Sequence, residues 1–275
     1  MTGAINPTAQ ALLDRGITLP KKPICLKRVF ERAGVHSVFI IAMTGRCGST
    51  WLAKTLGQVE GVCEPEEYFS NEAVKYYGTT PEDGDLEDFI LSIVKKYQKN
   101  GNFGFKIDGQ RLSWLDTLFD LESSFTGEDV KWIDMRRINI VKQALSFARA
   151  KKSNTWHIFS HQDAVALADS TPEEITDKTI WNELNAIVRS ENLLNSFYEK
   201  LQIDPLFIKY EELIDSKHQV LCRVLHHIAD GQPEILFQSI EDKTKKISSM
   251  DQDNREIRFC QDNIAEISKV YKSRR

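Results

Sequence analysis

The sequence has few cysteines and no arrangement that would join them. Five among 275 residues (Cys25, Cys47, Cys63, Cys222 and Cys260) are odd in number and scattered, with no C-x-x-C pair. That argues against a disulfide framework and against a zinc ribbon, and makes a reducing cytoplasm the expected location. An excess of one charge is also lacking: 36 basic and 40 acidic residues leave a formal net charge of −4. No global field therefore invites nucleic acid or an anionic membrane, and any attraction for anions must be local. No apolar run approaches the roughly 20 residues of a membrane-spanning helix. The opening MTGAINPTAQALLDRG has no charged-then-apolar layout of a secretory signal. Internal repeats and low-complexity tracts are missing too.

What the chain does have is a strand-then-helix rhythm. With 41% hydrophobic residues it can bury a sizeable core, and one domain over residues 1–275 is the simplest reading. Val38 to Met43 is a continuous apolar run of the kind buried on both faces of a parallel sheet. A helical pattern follows from Thr50 to Gln58. Strand candidates recur at Phe103 to Ile107, Val130 to Met135 and 206–214, and helical periodicity covers Asp85 to Lys99, Leu112 to Leu121 and Asn139 to Ala150. Further helices are expected from a Thr171-Pro172-Glu173-Glu174 start to about Leu201, on to about Ile228, and over 254–272. The expected fold is α/β, a P-loop-like parallel sheet flanked by helices, with a helical insertion around 147–201 and a helical C-terminal part over 215–272.

Two basic features fall at the carboxyl ends of predicted strands, where open α/β sheets bind ligands. The first is the turn TGRCGSTWL at 44–52. Glycines there let the backbone approach a ligand, and the first turn of the next helix presents unpaired N–H groups, so the turn suits an anion. It is not a Walker loop, because Gly45 and Gly48 are three apart and Ser49 stands in the lysine's place. Arg46 supplies the positive side chain, able to fork onto a phosphate-like or sulfate-like group. The same turn also serves as a plain strand-to-helix connection. The second feature is Arg136-Arg137, followed nine residues after Arg137 by Ser146 on the next helix, so that an arginine and a hydroxyl could address one phosphate.

These residues resemble the PAPS-dependent sulfotransferases, in particular the bacterial carbohydrate group that includes trehalose sulfotransferase and the nodulation-factor sulfotransferase. TGRCGSTWL is similar to that family's 5′-phosphosulfate loop, and RRINIVKQALS at 136–146 to its 3′-phosphate element. EPEEYF at 64–69, FGFKI at 103–107, RAKKSNTW at 149–156 and YEEL at 210–213 follow in the family's order. Cys47, where serine is usual, and the C-terminal third depart from the pattern.

The resemblance implies a sulfuryl transfer from PAPS, leaving PAP, to a hydroxylated small molecule such as a carbohydrate, with no metal. It implies that Thr44, Gly45, Arg46, Cys47, Gly48, Ser49 and Thr50 hold the 5′ end of the donor, and that Arg137 and Ser146, assisted by Arg136, grip its 3′-phosphate. Lys106 is implied as a second cation near the sulfuryl group, and Glu64 as the general base, with Glu66 and Glu67 as alternatives. No nucleic-acid partner and no membrane span are expected, and a homodimer is left open. A P-loop-like nucleotide kinase and a catalytically silent nucleotide-binding protein are the competing readings. The pairs His157/His161 and Cys222/His226 lack a third metal ligand, and Lys243, Lys245 and Lys246 read as a solvated charge run or a lid.

Overall fold

A computed structural model describes residues 6–76, 84–127, 129–154, 175–228 and 250–274. The His157/His161 pair, the Lys243, Lys245, Lys246 cluster, the Thr171 helix start and the last two residues of RAKKSNTW lie outside the described residues. The N-terminal part contains α1 (Pro7–Asp14) and α2 (Leu26–Arg32), then β1 (Ser37–Met43), α3 (Ser49–Leu56), α4 (Asn71–Tyr76), α5 (Leu86–Tyr97) and β2 (Asn102–Ile107). The central part holds α6 (Gly109–Leu115), α7 (Leu121–Phe125), β3 (Val130–Arg136), α8 (Ile140–Ser153) and α9 (Asp177–Leu201). Strand β4 (Leu206–Lys209), α10 (Tyr210–Asp215), α11 (Lys217–Ile228), α12 (Met250–Asp262) and α13 (Ile264–Ser273) complete the described chain.

The four strands form an all-parallel sheet in the order β2-β1-β3-β4. Strand β1 is apolar and buried from Val38 to Met43 because both faces are covered. Phe39, Ile41 and Met43 join Leu52 and Leu56 of α3 and Val220, Leu221, Val224 and Leu225 of α11 in one core. Val38, Ile40 and Ala42 meet Phe103, Phe105, Ile107, Phe89, Ile93 and Leu194 in the other. A third cluster ties α8 and α9 to Phe259 of α12 and Ile267 of α13.

The expected α/β class with a parallel sheet flanked by helices is what the chain adopts. Some helix boundaries differ, for local reasons. The pattern over Leu112 to Leu121 is split into α6 and α7, each started by its own cap: Asp108 accepts from the Arg111 amide (2.9 Å) and Asp120 from the Ser123 amide (3.1 Å). The C-terminal pattern is likewise two helices with Asn263 between them. The described part of the long helix begins at Asp177, where Thr176 accepts from the Thr179 amide (3.2 Å). Strand β4 ends at Lys209, and Tyr210 already opens α10.

Because β1 pairs with β2 on one side and β3 on the other, connections leave in opposite directions at β1 and β3. The crevice beyond their carboxyl ends is the topological switch point of the sheet. Met43 and Met135 are in register across it, which brings the turns after β1 and β3 side by side.

Candidate functional site

The turn after β1 is shaped by two left-handed residues, Arg46 (φ 69°) and Gly48 (φ 92°). Left-handed residues placed on either side of a residue of ordinary φ, as here around Cys47, can curl backbone amides toward one point, a cradle for an anion. Gly48 also caps α3, whose first amides point the same way. Packing enforces the small residues. A Cβ on Gly45 would lie 2.0 Å from the Phe147 ring of α8, and one on Gly48 would lie 2.8 Å from the Tyr210 ring of α10. The backbone of the turn is thus pressed between two aromatic rings. Thr44, Cys47 and Ser49 are buried within it and Thr50 is partly exposed. Burial pushes the Cys47 thiol up to about 11, so this position is a protonated core group rather than a reactive thiolate.

Helix α8 locks the turn. Gln143 Nε2 donates to Thr44 Oγ1 and to the Gly45 carbonyl, both at 2.8 Å, and Arg46 Nε donates to Ser146 Oγ at 3.0 Å. Ser146 therefore meets the arginine of the first turn. Arg137 follows β3, 7% exposed. Its guanidinium stacks on the Tyr210 ring, 4.5 Å to the centroid, and its Nε is buried without a hydrogen-bond partner. Burial holds Arg137 below the usual arginine range. Arg46 is lowered by burial and then by the charge of Arg137, so the two cations are close enough to repel.

Arg46, Ser146 and Arg137 are thus brought together around the switch point, with Tyr210 wedged between Gly48 and Arg137. Arg136 is not part of that group. Alternation along β3 turns it to the opposite face, where it pairs with buried Asp134 at 2.7 Å, donates to Asn195 and lies over Phe207.

The acidic segment runs along the free edge of β2. Cys63 Sγ accepts from the Gly104 amide at 2.8 Å, the Glu66 carbonyl accepts from the Lys106 amide at 2.9 Å, and Glu66 forms a parallel bridge with Phe105. The segment therefore climbs toward the carboxyl end of the sheet, and at about 3.3 Å per extended residue Glu67 stands roughly 10 Å above Glu64. Glu64 ion-pairs with Lys54, and a Cβ on Gly57 would lie 2.6 Å from its Cβ. Gly57 is about 12 Å along the helix axis from Ser49, so Glu64 flanks the end of α3 remote from the turn. Glu67 pairs with Arg111 of α6 at 3.0 Å, immediately after β2. Lys106, almost wholly buried, lies 3.3 Å from Glu66 and 3.8 Å from Glu67. Burial by itself would raise Glu66, but the charges of Lys106 and Lys54 override it and hold the carboxyl below its ordinary value.

Four residues escaped sequence reasoning. Gln143 and Tyr210 lie inside recognised motifs, which was the available signal. Lys54 and Arg111 sit on helices with nothing in their spacing to single them out. Among the described residues no group of three or more His, Cys, Asp or Glu is placed to hold a metal, and no helix is long and apolar enough to cross a membrane. Cys222 Sγ contacts His218 at 3.8 Å, a pair rather than a site.

The family model described as Stf0 sulphotransferase matches residues 38–262. The chain belongs to the Stf0 sulphotransferase family. No curated protein matches it. The matched span runs from β1 to the last residue of α12 and includes the turns after β1 and β3, so the switch-point crevice lies within it. A sulphotransferase takes its group from a sulfuryl donor. Residues after 262, including α13, lie outside the match.

Proposed function

We propose that the enzyme moves a sulfuryl group from PAPS to a hydroxyl of a carbohydrate or similar small molecule. The observation that carries this reading is the pair of desolvated arginines astride the switch point, Arg46 and Arg137, the second with a buried donor left unpartnered. A donor with anionic groups at both ends of an adenosine fits two such cations. An unpaired buried donor is costly unless something accepts from it. The cradle fits as well, since the turn 44–50 offers curled amides at a helix start.

In this reading the amides of residues 47–50, the hydroxyls of Ser49 and Thr50 and the Arg46 guanidinium hold the phosphosulfate end. Arg137 holds the 3′-phosphate, with Ser146 beside Arg46 as a hydroxyl for the same donor. PAPS, when bound, supplies a sulfuryl group already activated by its link to phosphate. The protein's part is alignment and charge stabilisation. Arg46 and the turn amides face the charge that grows on the departing phosphate, and Lys106 adds a buried cation at the strand end.

A sugar hydroxyl needs a base. Of the three carboxylates, Glu67 has the best position, at the carboxyl end of β2 beside Lys106 and Arg111. Glu64 is remote from the turn, and Glu66 is made a weak base by two ammonium groups. The family resemblance had favoured Glu64; the climb of the segment along β2 favours Glu67. The five free thiols suit a reducing cytoplasm.

The test is transfer of label from PAPS to a panel of hydroxylated acceptors, with thermal unfolding in the presence of PAP or ATP. PAP should raise the melting temperature and ATP should not. Stabilisation by ATP with magnesium alone would favour a kinase, and PAP binding without transfer to any acceptor would favour a silent binding protein.

A further inference from the structure

The turn that carries Arg137 is held from two sides by residues far away in the chain. On its N–H side the Glu211 carboxylate accepts from the amides of Ile138 (3.0 Å) and Asn139 (3.2 Å). On its carbonyl side Arg274 donates from Nη2 to the Arg137 carbonyl (2.7 Å) and from Nη1 to the Ile138 carbonyl (3.0 Å). The same guanidinium forks onto Glu191 of α9 through Nε and Nη2, both at 2.8 Å. Glu191 is 1% exposed and Arg274 12% by side chain. A bidentate arginine–carboxylate pair of this kind is directionally stiff, so the two carbonyls are tied to the buried face of a 25-residue helix.

We propose that Arg274 is a positioning residue for donor binding. It fixes the backbone of Arg137, so that the buried guanidinium is already aimed at the donor's second phosphate. The proposal rests on the reading of Arg137 as the 3′-phosphate ligand. The rest of the C-terminal arm acts on the same place. Glu256 of α12 accepts from Asn139 Nδ2 at 2.6 Å, and Asp253 pairs with Lys142, on the first turn of α8. Arg274 lies beyond residue 262, where the family match stops, so this support is a feature of this chain outside the matched span. Its physical value is pre-organisation. A phosphate ligand on a loose turn must be ordered at binding, whereas here the ordering cost is met on folding.

The full-length protein tests this with R274A and R274K. Lysine retains the charge but has one nitrogen, which cannot hold Glu191 bidentately and both carbonyls together. Two readouts are needed. First, without ligand, amide hydrogen exchange in a peptide covering 136–141 should quicken in R274A, more than in R274K, because Ile138 and Asn139 lose the opposing anchor. Unchanged exchange overturns the clasp. Secondly, calorimetric titration should show PAP binding weakened by about tenfold or more in R274A, while adenosine 5′-phosphate, which has no 3′-phosphate, stays within about twofold. Equal loss for both ligands overturns the positioning role and leaves a general structural one. If R274A does not fold, R274K and Glu191→Gln carry the same comparison. Should the wild type itself fail to bind PAP, the donor reading falls and the role proposed for Arg274 falls with it, while the exchange experiment still judges the clasp.

Discussion

Arg137→Met separates what the site does for binding from what it does for folding. The Arg137 guanidinium is buried, its Nε has no partner, and it stands near enough to Arg46 to lower it. In the ligand-free protein an unsatisfied buried donor costs about 1–3 kcal/mol. The stack on Tyr210 at 4.5 Å returns about 0.5–2 kcal/mol, and methionine keeps apolar contact with that ring. The two effects nearly cancel, so ligand-free stability should change by less than about 1 kcal/mol in either direction.

Donor-product binding should respond quite differently. A guanidinium that forks onto a phosphate makes two charge-assisted hydrogen bonds of about 1.5–3 kcal/mol each. Losing both should raise the Kd for PAP by about 100-fold or more. Calorimetric titration with PAP and thermal unfolding without ligand measure the two quantities on one preparation. A variant that binds PAP like the wild type would refute the assignment of Arg137. A variant that loses several kcal/mol of ligand-free stability would show the arginine to be a structural strut.

Three other outcomes follow from the geometry. Glu67→Gln should lower kcat by about 10²- to 10⁴-fold with little change in PAP affinity, and Glu64→Gln should leave kcat nearly unaltered; the reverse order in a transfer assay would return the base to Glu64. Gly48→Ala places a methyl on a residue with φ 92° and against the Tyr210 ring, which should cost about 1–3 kcal/mol and weaken PAP binding, and an unchanged melting curve with unchanged affinity would contradict the wedge. Glu66 titrates lower folded than unfolded, so below its ordinary 4.5 the unfolded chain binds the proton first, and stability present above that pH drains away as the pH falls through the folded value. Glu66→Gln should flatten this acid limb of a stability-versus-pH curve, and an unaltered limb would place the acid sensitivity elsewhere.

The turn after β1 was legible because its signals are local. An apolar run that ends at Thr44, a glycine that must adopt positive φ, and hydroxyls at a helix start are all written within a dozen residues. Arg137 was legible for the same reason, as a charge at the end of a strand. Arg136, its neighbour, shows the limit: two adjacent arginines look equivalent in sequence, yet strand alternation sends one to the switch-point crevice beside Tyr210 and the other to Asp134 on the far face. The three glutamates show it again. EPEE could be seen as a cluster of candidates, but which carboxylate reaches the carboxyl end of the sheet depends on the direction in which the segment runs along β2.

By itself, then, the sequence determined the parallel sheet, the two basic turns at its carboxyl edge and the type of group each supplies. These depend on hydrophobic period, glycine conformation and charge, properties that each residue carries with its near neighbours. Only the tertiary structure decided that β1 and β3 are adjacent, that Tyr210 wedges between Gly48 and Arg137, that Gln143 and Ser146 brace the first turn, and that Arg274 clasps the second. Those contacts join residues up to 137 positions apart, and their geometry is set by strand order and helix packing, which no local pattern encodes.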